Sequence, residues 1–456
     1  MKRVYFSLGS SWTAGAVPRQ RLSCATDDLN RMGIAMSERR LRVLAIASHP
    51  VQYAAPIFRR MAQHPQLEFH VAYCSLRGAE AAHDSEFGQS IQWDVPLLEG
   101  YSWTHIPNRG SGSESLFGLY NPGLWKLIRD GHFDAVLCYT GYMRATFWIA
   151  LVAAKLSGAA FLFGTDATTL VSRDERAWKR VAKRLAWPLL FRLADQVIVP
   201  SSGSRDLMHS LGITAERVTL TPYVVENQWW MSQSSAVDRE SVRASCSANP
   251  GDFVVLFCAK LQPWKRPLDL LRAFAKLPVR NARLVFAGEG PLRQELEGEA
   301  KALGVGSRVR FLGFVNQSQL PAIYTGADVM ALPSEYEPFA VVVNEAMCCG
   351  CPVVVSDRVG AARDLVAPVD TDFIFPCGDI NALAALLARL AGDPALLLRT
   401  SRLAIARLQT WGPEQNVAAA VAAVEQAVSR IRPQGSSASS RHVAASESTA
   451  PNPRQP

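Results

Sequence analysis

The sequence predicts an α/β protein made of two doubly wound domains, each a parallel sheet with helices on both faces. Three observations lead there. At 456 residues the chain is roughly three times a typical single-domain length. From residue 41 onward, short near-continuous apolar runs alternate with helical patterns, as strands buried on both faces require. One polar break, SQSSAVDRESVRASCSANPGD at 232–252, divides those runs into two series.

The first series reads LRVLAIAS (41–48), LEFHVAYC (67–74), FDAVLCY (133–139), AAFLF (159–163), DQVIVPS (195–201) and RVTLTP (217–222). The second reads FVVLFCA (253–259), ARLVFAGEG (282–290), RVRFLGF (308–314), DVMALPS (328–334), PVVVSD (352–357) and DFIFPCG (372–378). A last helix with one apolar face is predicted over 411–431, WGPEQNVAAAVAAVEQAVSRI. The domains are therefore placed at 40–230 and 253–410, with a linker at 231–252 and a crossover helix at 411–431. Residues 1–39 are expected to be a disordered leader, since Met36 opens a normal start, MSERRLRVLAIASHP. The tail at 432–456 has too few large apolar side chains to fold.

Composition narrows the function. With 48% hydrophobic and 19% charged residues, the chain has the balance of a globular protein. Its net charge of +8 suits an anionic partner: nucleic acid, a phosphate-bearing ligand or an anionic membrane surface. The longest apolar stretch, FWIALVAA at 147–154, is far short of the ~20 residues a membrane span needs. Nine cysteines, several inside apolar strand runs, act as small hydrophobes and point to a reducing, cytoplasmic compartment.

Doubly wound folds bind ligands beyond the carboxyl ends of their strands, so the turns there carry the chemistry. After the strand ending at Ala259, AKLQPWKRP sets Lys260 and Lys265 around a strand-to-helix turn, an anchor for a diphosphate or simply a solvated loop. The GEGP turn, with Gly288 and Gly290, permits close backbone approach to a ligand but is not a dinucleotide fingerprint. In SEYEPFAVVVNEAMCCGCPVVVS (334–356) a helix beginning near Phe339 separates Glu337 from Glu345 by about 12 Å at 1.5 Å per residue. The free N–H groups of Phe339, Ala340 and Val341 between them form an anion site. Carboxylates for hydroxyls on either side of donors for a diphosphate match a sugar, a pyrophosphate and a ribose in order; two surface glutamates flanking a buried helix would read the same.

That stretch resembles the E-x7-E motif of the family 4 glycosyltransferases, retaining enzymes of GT-B fold. The Lys260–Lys265 element, GEGPLR and RVRFLGFV follow the family's order and spacing. The opening SHPVQYAAPIFRRM, FGQSIQWDVPLLEGY and NPGLW resemble a subgroup of it, so the likeness runs from about residue 41 to 430. The resemblance implies that Glu337 faces the transferred sugar, Glu345 binds the nucleotide ribose, and Lys260 and Lys265 hold the diphosphate. It implies acceptor-side roles for Asp166 and for His49, Gln52 and Tyr53. It further implies front-face transfer, in which the departing phosphate helps deprotonate the acceptor. Two departures stand out: Lys260 replaces a frequent Arg, losing bidentate phosphate recognition, and Ala340 replaces a frequent Gly.

The expected partners are a nucleotide-sugar donor and a glycan or lipid-linked acceptor, with no nucleic acid and no cofactor beyond the nucleotide sugar. SRDERAWKRVAKRLAWPLLFRLA (172–194), seven bases against two acids with tryptophans interleaved, suits peripheral contact with an anionic membrane; a helix packed on the first domain is the other reading. Asp370 and Asp372 form a DxD, and Cys348 and Cys351 a CxxC, neither of which has the company a metal site needs, so no metal is expected. The alternatives are a nucleotide-sugar epimerase of the same architecture and a catalytically silent binding partner.

Overall fold

The computed structural model describes residues 39–84, 88–113, 115–171 and 176–432, and the chain from Leu41 onward forms one compact unit. The leader and tail expected at 1–39 and 432–456 fall almost entirely outside the described residues.

Fifteen strands are described. They are β1 (Leu41–Ala47), β2 (Leu67–Tyr73), β3 (Ala82–Asp84), β4 (Gln89–Ile91), β5 (Ser102–His105), β6 (Ala135–Cys138), β7 (Ala160–Gly164), β8 (Gln196–Val199) and β9 (Val218–Leu220), then β10 (Phe253–Cys258), β11 (Ala282–Ala287), β12 (Val309–Gly313), β13 (Val329–Leu332), β14 (Val353–Ser356) and β15 (Ile374–Phe375). Seven form a parallel sheet in the order β5-β2-β1-β6-β7-β8-β9, and six form a second in the order β12-β11-β10-β13-β14-β15. All twelve runs read from sequence are strands. Two features were not foreseen: the edge strand β5, paired with β2 from His70–Ser102 to Tyr73–His105, and the β3–β4 hairpin.

Alternation along β1 shows why the first sheet is buried on both faces. Leu44 and Ile46 join a core under the helices Gly123–Gly131, Ala145–Leu156 and Ala177–Leu193, while Val43, Ala45 and Ala47 join a core under Ala55–Gln63 and the last helix, Pro413–Ile431. Each fully buried Val, Leu or Ile among these contributes about 1.5–3 kcal/mol. The last helix packs Val417, Ala420, Val421 and Val424 onto the first sheet, so the chain crosses back as expected.

The polar break is not a free linker. Residues Asn227–Ser235 and Arg239–Ser245 are helices packed on the second domain, with Trp230 against the Tyr324 ring at 5.9 Å and Arg243 paired with Asp328 at 3.1 Å. Their few apolar contacts, set in a Ser-rich stretch, concealed them.

Candidate functional site

In each sheet the strand order reverses beside the first strand of its series, between β1 and β6 and between β10 and β13. The crevices at these reversals are where a doubly wound fold can seat a ligand. A cavity of about 450 Å³ lies there, lined by His49, Gln52 and Tyr53 after β1, by Lys260 and Lys265 after β10, and by Glu337, Ala340, Val341 and Glu345 after β13. The structure thus brings nine of the residues singled out in the sequence to one space.

Local rules explain how they are held. Lys265 ends a short 3₁₀ turn, Pro263–Lys265, and Arg266 adopts a left-handed conformation before Pro267 opens the next helix. The Glu335 N–H donates to the Trp264 carbonyl at 2.8 Å, Arg266 pairs with Glu335 at 3.0 Å, and Lys265 pairs with Glu337. The loop carrying Glu337 is also tied from behind, since its carbonyl accepts from the Gly360 N–H at 2.9 Å. A Cβ at Gly360 would sit 1.9 Å from the Pro338 oxygen, so only glycine lets these backbones meet.

Glu345 projects from the Val341–Cys348 helix and is only 6% exposed. The Tyr324 hydroxyl donates to it at 2.8 Å. Burial raises its carboxyl to about 7, with that hydrogen bond pulling the other way. Ala340, at the start of the same helix, has φ 83° and ψ 76°, a left-handed conformation that costs a side-chain-bearing residue about 1–2 kcal/mol. The departure from glycine noted in the sequence falls where glycine's freedom is needed.

Three of the expected donor residues lie elsewhere. Gly288 and Gly290 do not line the cavity: a Cβ at either would strike the Ala259 or Leu261 backbone, at 2.0 and 2.7 Å, so these glycines let the GEGP turn pack on the Lys260 turn. The Phe339 ring is buried in a run of aromatics, 5.5 Å from Tyr223 and stacked on Trp411 at 6.3 Å; Tyr223 in turn meets Tyr53 at 5.7 Å. Phe339 therefore joins the two domains through its side chain.

Asp166 follows β7 and lines a second cavity, of about 550 Å³, with Phe58, Tyr139, Phe163, Trp187 and Tyr223. Asp166 is exposed to that cavity, and desolvation raises its pKa. Tyr53 beside it is pushed up to about 12, chiefly by desolvation and then by the Asp166 charge. His49, Val51 and Tyr53 line both cavities, so one turn, the end of β1, is the wall between them.

Sequence reasoning missed Arg77, Trp93 and Trp264, which also line the first cavity, and Tyr324 behind Glu345. Trp93 was visible only as part of a resembling segment. In the DxD, Asp370 caps the Thr371–Phe373 turn by accepting from the Asp372 N–H, and Asp372 pairs with Arg389 at 3.0 Å. Cys348, Cys349 and Cys351 are buried, and burial raises their thiols.

With this geometry in place, comparison with known proteins is decisive. Residues 238–407 match the glycosyl transferases group 1, and residues 50–224 match the glycosyl transferase 4-like domain. The chain belongs to the group 1 glycosyltransferase family. An uncharacterised glycosyltransferase of Methanocaldococcus jannaschii is 36% identical over 40% of the chain and 47% of that protein. The D-inositol 3-phosphate glycosyltransferase of Corynebacterium glutamicum is 30% identical over 50% of the chain and 57% of that protein. The matched stretch thus spans about half the length of these relatives. The GT-B fold is shared with HepE of Anabaena, solved with UDP and glucose (TM-score 0.64, 20% identity, 84% of this chain and 99% of that one). It is shared too with WaaG, a glycosyltransferase involved in lipopolysaccharide biosynthesis (TM-score 0.60, 16% identity, 86% and 100%).

Proposed function

We propose that this group 1 glycosyltransferase moves a sugar, with retention of configuration, from a nucleotide-sugar donor to a glycan or lipid-linked acceptor. One observation carries the reading: a cavity lined by two lysines and two glutamates shares a wall, at His49–Tyr53, with an aromatic cavity that holds a single carboxylate. Lys260 and Lys265 meet the diphosphate, Glu345 accepts from the ribose hydroxyls, and Glu337 faces the sugar. The acceptor hydroxyl, oriented by Asp166, forms its bond to the anomeric carbon as the bond from that carbon to the phosphate oxygen breaks. The nucleoside diphosphate leaves with the electron pair and takes up the acceptor's proton. The protein acts by positioning and by neutralising the leaving group. Because the lysines meet that charge, the proposed transfer draws on no metal or further cofactor.

The acceptor side favours an amphiphilic partner at the inner face of a membrane, as in the building of a cell-surface polysaccharide or glycoconjugate. Residues 172–175 lie outside the described residues, but Ala177–Leu193 is a helix with five bases and no acid. Its outer face presents Trp178, Val181, Leu185 and Leu189, the last two 71% and 66% exposed, while Lys183 and Trp187 line the aromatic cavity. A basic helix with an uncovered apolar stripe suits an anionic bilayer surface.

Incubating the protein with uridine and guanosine diphosphate sugars, with and without a membrane lipid extract, and measuring released nucleoside diphosphate tests the reading. Turnover with one donor, raised by lipid extract, is expected. No binding or turnover with any nucleotide sugar would falsify it, and donor turnover on soluble glycans alone would remove the membrane part.

A further inference from the structure

The first domain meets the donor cavity in an unusual way. The turn after β1 reads Ser48-His49-Pro50-Val51; it has no glycine, and Pro50 has no N–H to give. It is therefore not a glycine-rich phosphate loop, and it has one backbone donor fewer at Pro50. Beside the side chains of that turn, the segment between β2 and β5 also reaches the cavity, through Arg77, Gly78, Ile91 and Trp93.

This segment is strapped to the second domain. The Asn316 side-chain amide donates to the Gln92 carbonyl at 2.9 Å, and the Asp94 N–H donates back to Asn316 at 3.3 Å. The Asp94 carboxylate accepts from the Ser318 N–H at 3.1 Å and from the Ser318 hydroxyl. Between these bonds the Trp93 ring lies 5.8 Å from the Phe314 ring, in the loop after β12. The strap is seated on its own domain just as closely. The Trp93 N–H donates to the Gly78 carbonyl at 3.2 Å, and a Cβ at Gly78 (φ 98°) would come within 3.3 Å of the indole and 3.0 Å of the Pro50 oxygen. Arg77 is thus fixed next to the tightest point of this packing. Its side chain is exposed, and its guanidinium makes no hydrogen bond or ion pair among the described residues. Lys265, across the same cavity, is engaged by Glu337.

We propose that Arg77 is a donor-binding residue, the first domain's contact to the diphosphate of the nucleotide sugar, and that the Gln92–Asp94 strap positions it there. The proposal rests on the donor reading above. A guanidinium whose donors are unengaged can take two phosphate oxygens in a fork, the recognition given up by having Lys at position 260. The strap ties the two domains together on the side from which Arg77 reaches. Diphosphate binding and domain closure then support each other.

The experiment is a titration of the full chain with a nucleoside diphosphate and the matching monophosphate, uridine and guanosine forms both being tried. Arg77→Ala should weaken the diphosphate about tenfold to a hundredfold, as expected for a charge-assisted hydrogen bond, and leave the monophosphate within twofold. Arg77→Lys should recover part of the loss. Asp94→Ala, which opens the strap, should weaken the diphosphate in wild type and add little once Arg77 is Ala, a coupling that a purely structural strap would not show. Equal loss for both nucleotides, or no loss in Arg77→Ala and Arg77→Lys, overturns the proposal while leaving the donor reading intact. Failure of the wild type to bind any nucleoside diphosphate overturns both.

Discussion

The two domains have the same design and opposite chemistry. In each, the strand order reverses beside the first strand of the series, and the turns at that reversal face a shared space. In the second domain those turns carry charge: Lys260, Lys265, Glu337 and Glu345. In the first the turns after β1 and β6 carry rings, Tyr53 and Tyr139, and the cavity they line also takes Tyr223 and the single carboxylate of Asp166. The outer surfaces differ in the same sense. Of seventeen large apolar side chains exposed among the described residues, fourteen lie between Leu116 and Leu193 in the first domain. The topology determines where a ligand can sit, and the few side chains at each turn determine which ligand; a polar phosphate-bearing molecule suits one half and an amphiphile the other.

Removing charge from the second domain should break this contrast most severely. Lys265→Ala is expected to lower kcat/KM by about 10²–10³-fold, the scale for losing one preorganised group at a developing charge. It also leaves Glu337, which is little exposed, without its partner. The double variant Lys265→Ala/Glu337→Gln should therefore melt at a higher temperature than Lys265→Ala alone and recover no activity. Recovery of turnover in the double variant would show that the pair holds the loop rather than serving the reaction. A smaller effect is expected in the first domain. Asp166→Asn should lower kcat/KM for the acceptor about tenfold to a hundredfold with the donor KM unchanged, and a change in donor KM would place Asp166 in the wrong cavity.

Glu345 sharpens the comparison through pH. Its carboxyl is raised to about 7 from 4.5 by burial, so the folded state holds a proton there that the unfolded chain releases. This contribution to stability is fully present below about 4.5 and is lost as pH rises through 7, a span of roughly 3 kcal/mol in the absence of ligand. Glu345→Gln should accordingly raise the melting temperature at pH 8 and change it little at pH 4.5. In the proposed donor site the ionised form is the one that would accept from the ribose hydroxyls. Wild-type donor KM should therefore fall between pH 6 and 8, whereas in Glu345→Gln it should be high and flat. A wild-type profile that is flat across that range would remove Glu345 from the ribose.

Much of this was legible in the sequence because parallel strands buried on both faces read as apolar runs, and because the charged turns follow directly after them. The edge strand β5, SWTH, was not, since only part of it is covered and no run forms. Arg77, Trp93 and Tyr324 reach the site through contacts distant in sequence, and no local pattern marks such residues. The GEGP turn shows the converse case. Its glycines are locally conspicuous, but the constraint they satisfy is the approach of one backbone to another, at Ala259 and Leu261.

The smallest effect belongs to Ala340, where a local departure and a structural strain coincide. Its positive φ costs about 1–2 kcal/mol, whereas glycine at this position would raise unfolded-chain entropy by somewhat less. Ala340→Gly should therefore change stability by at most about 1 kcal/mol, in the stabilising direction. The functional question is whether the methyl does anything in return, since Ala340 lines the cavity between Glu337 and Glu345. If it narrows the space for the transferred sugar, Ala340→Gly will accept bulkier donors at the wild-type rate for the preferred one, as read from kcat/KM over a set of nucleotide sugars differing in size. If the set is ranked as before and only the melting temperature moves, Ala340 is tolerated strain held by the bonds from Gly360 and Ala361 to the Glu337 and Phe339 carbonyls, and sugar selection lies with Glu337 and the first domain's rings.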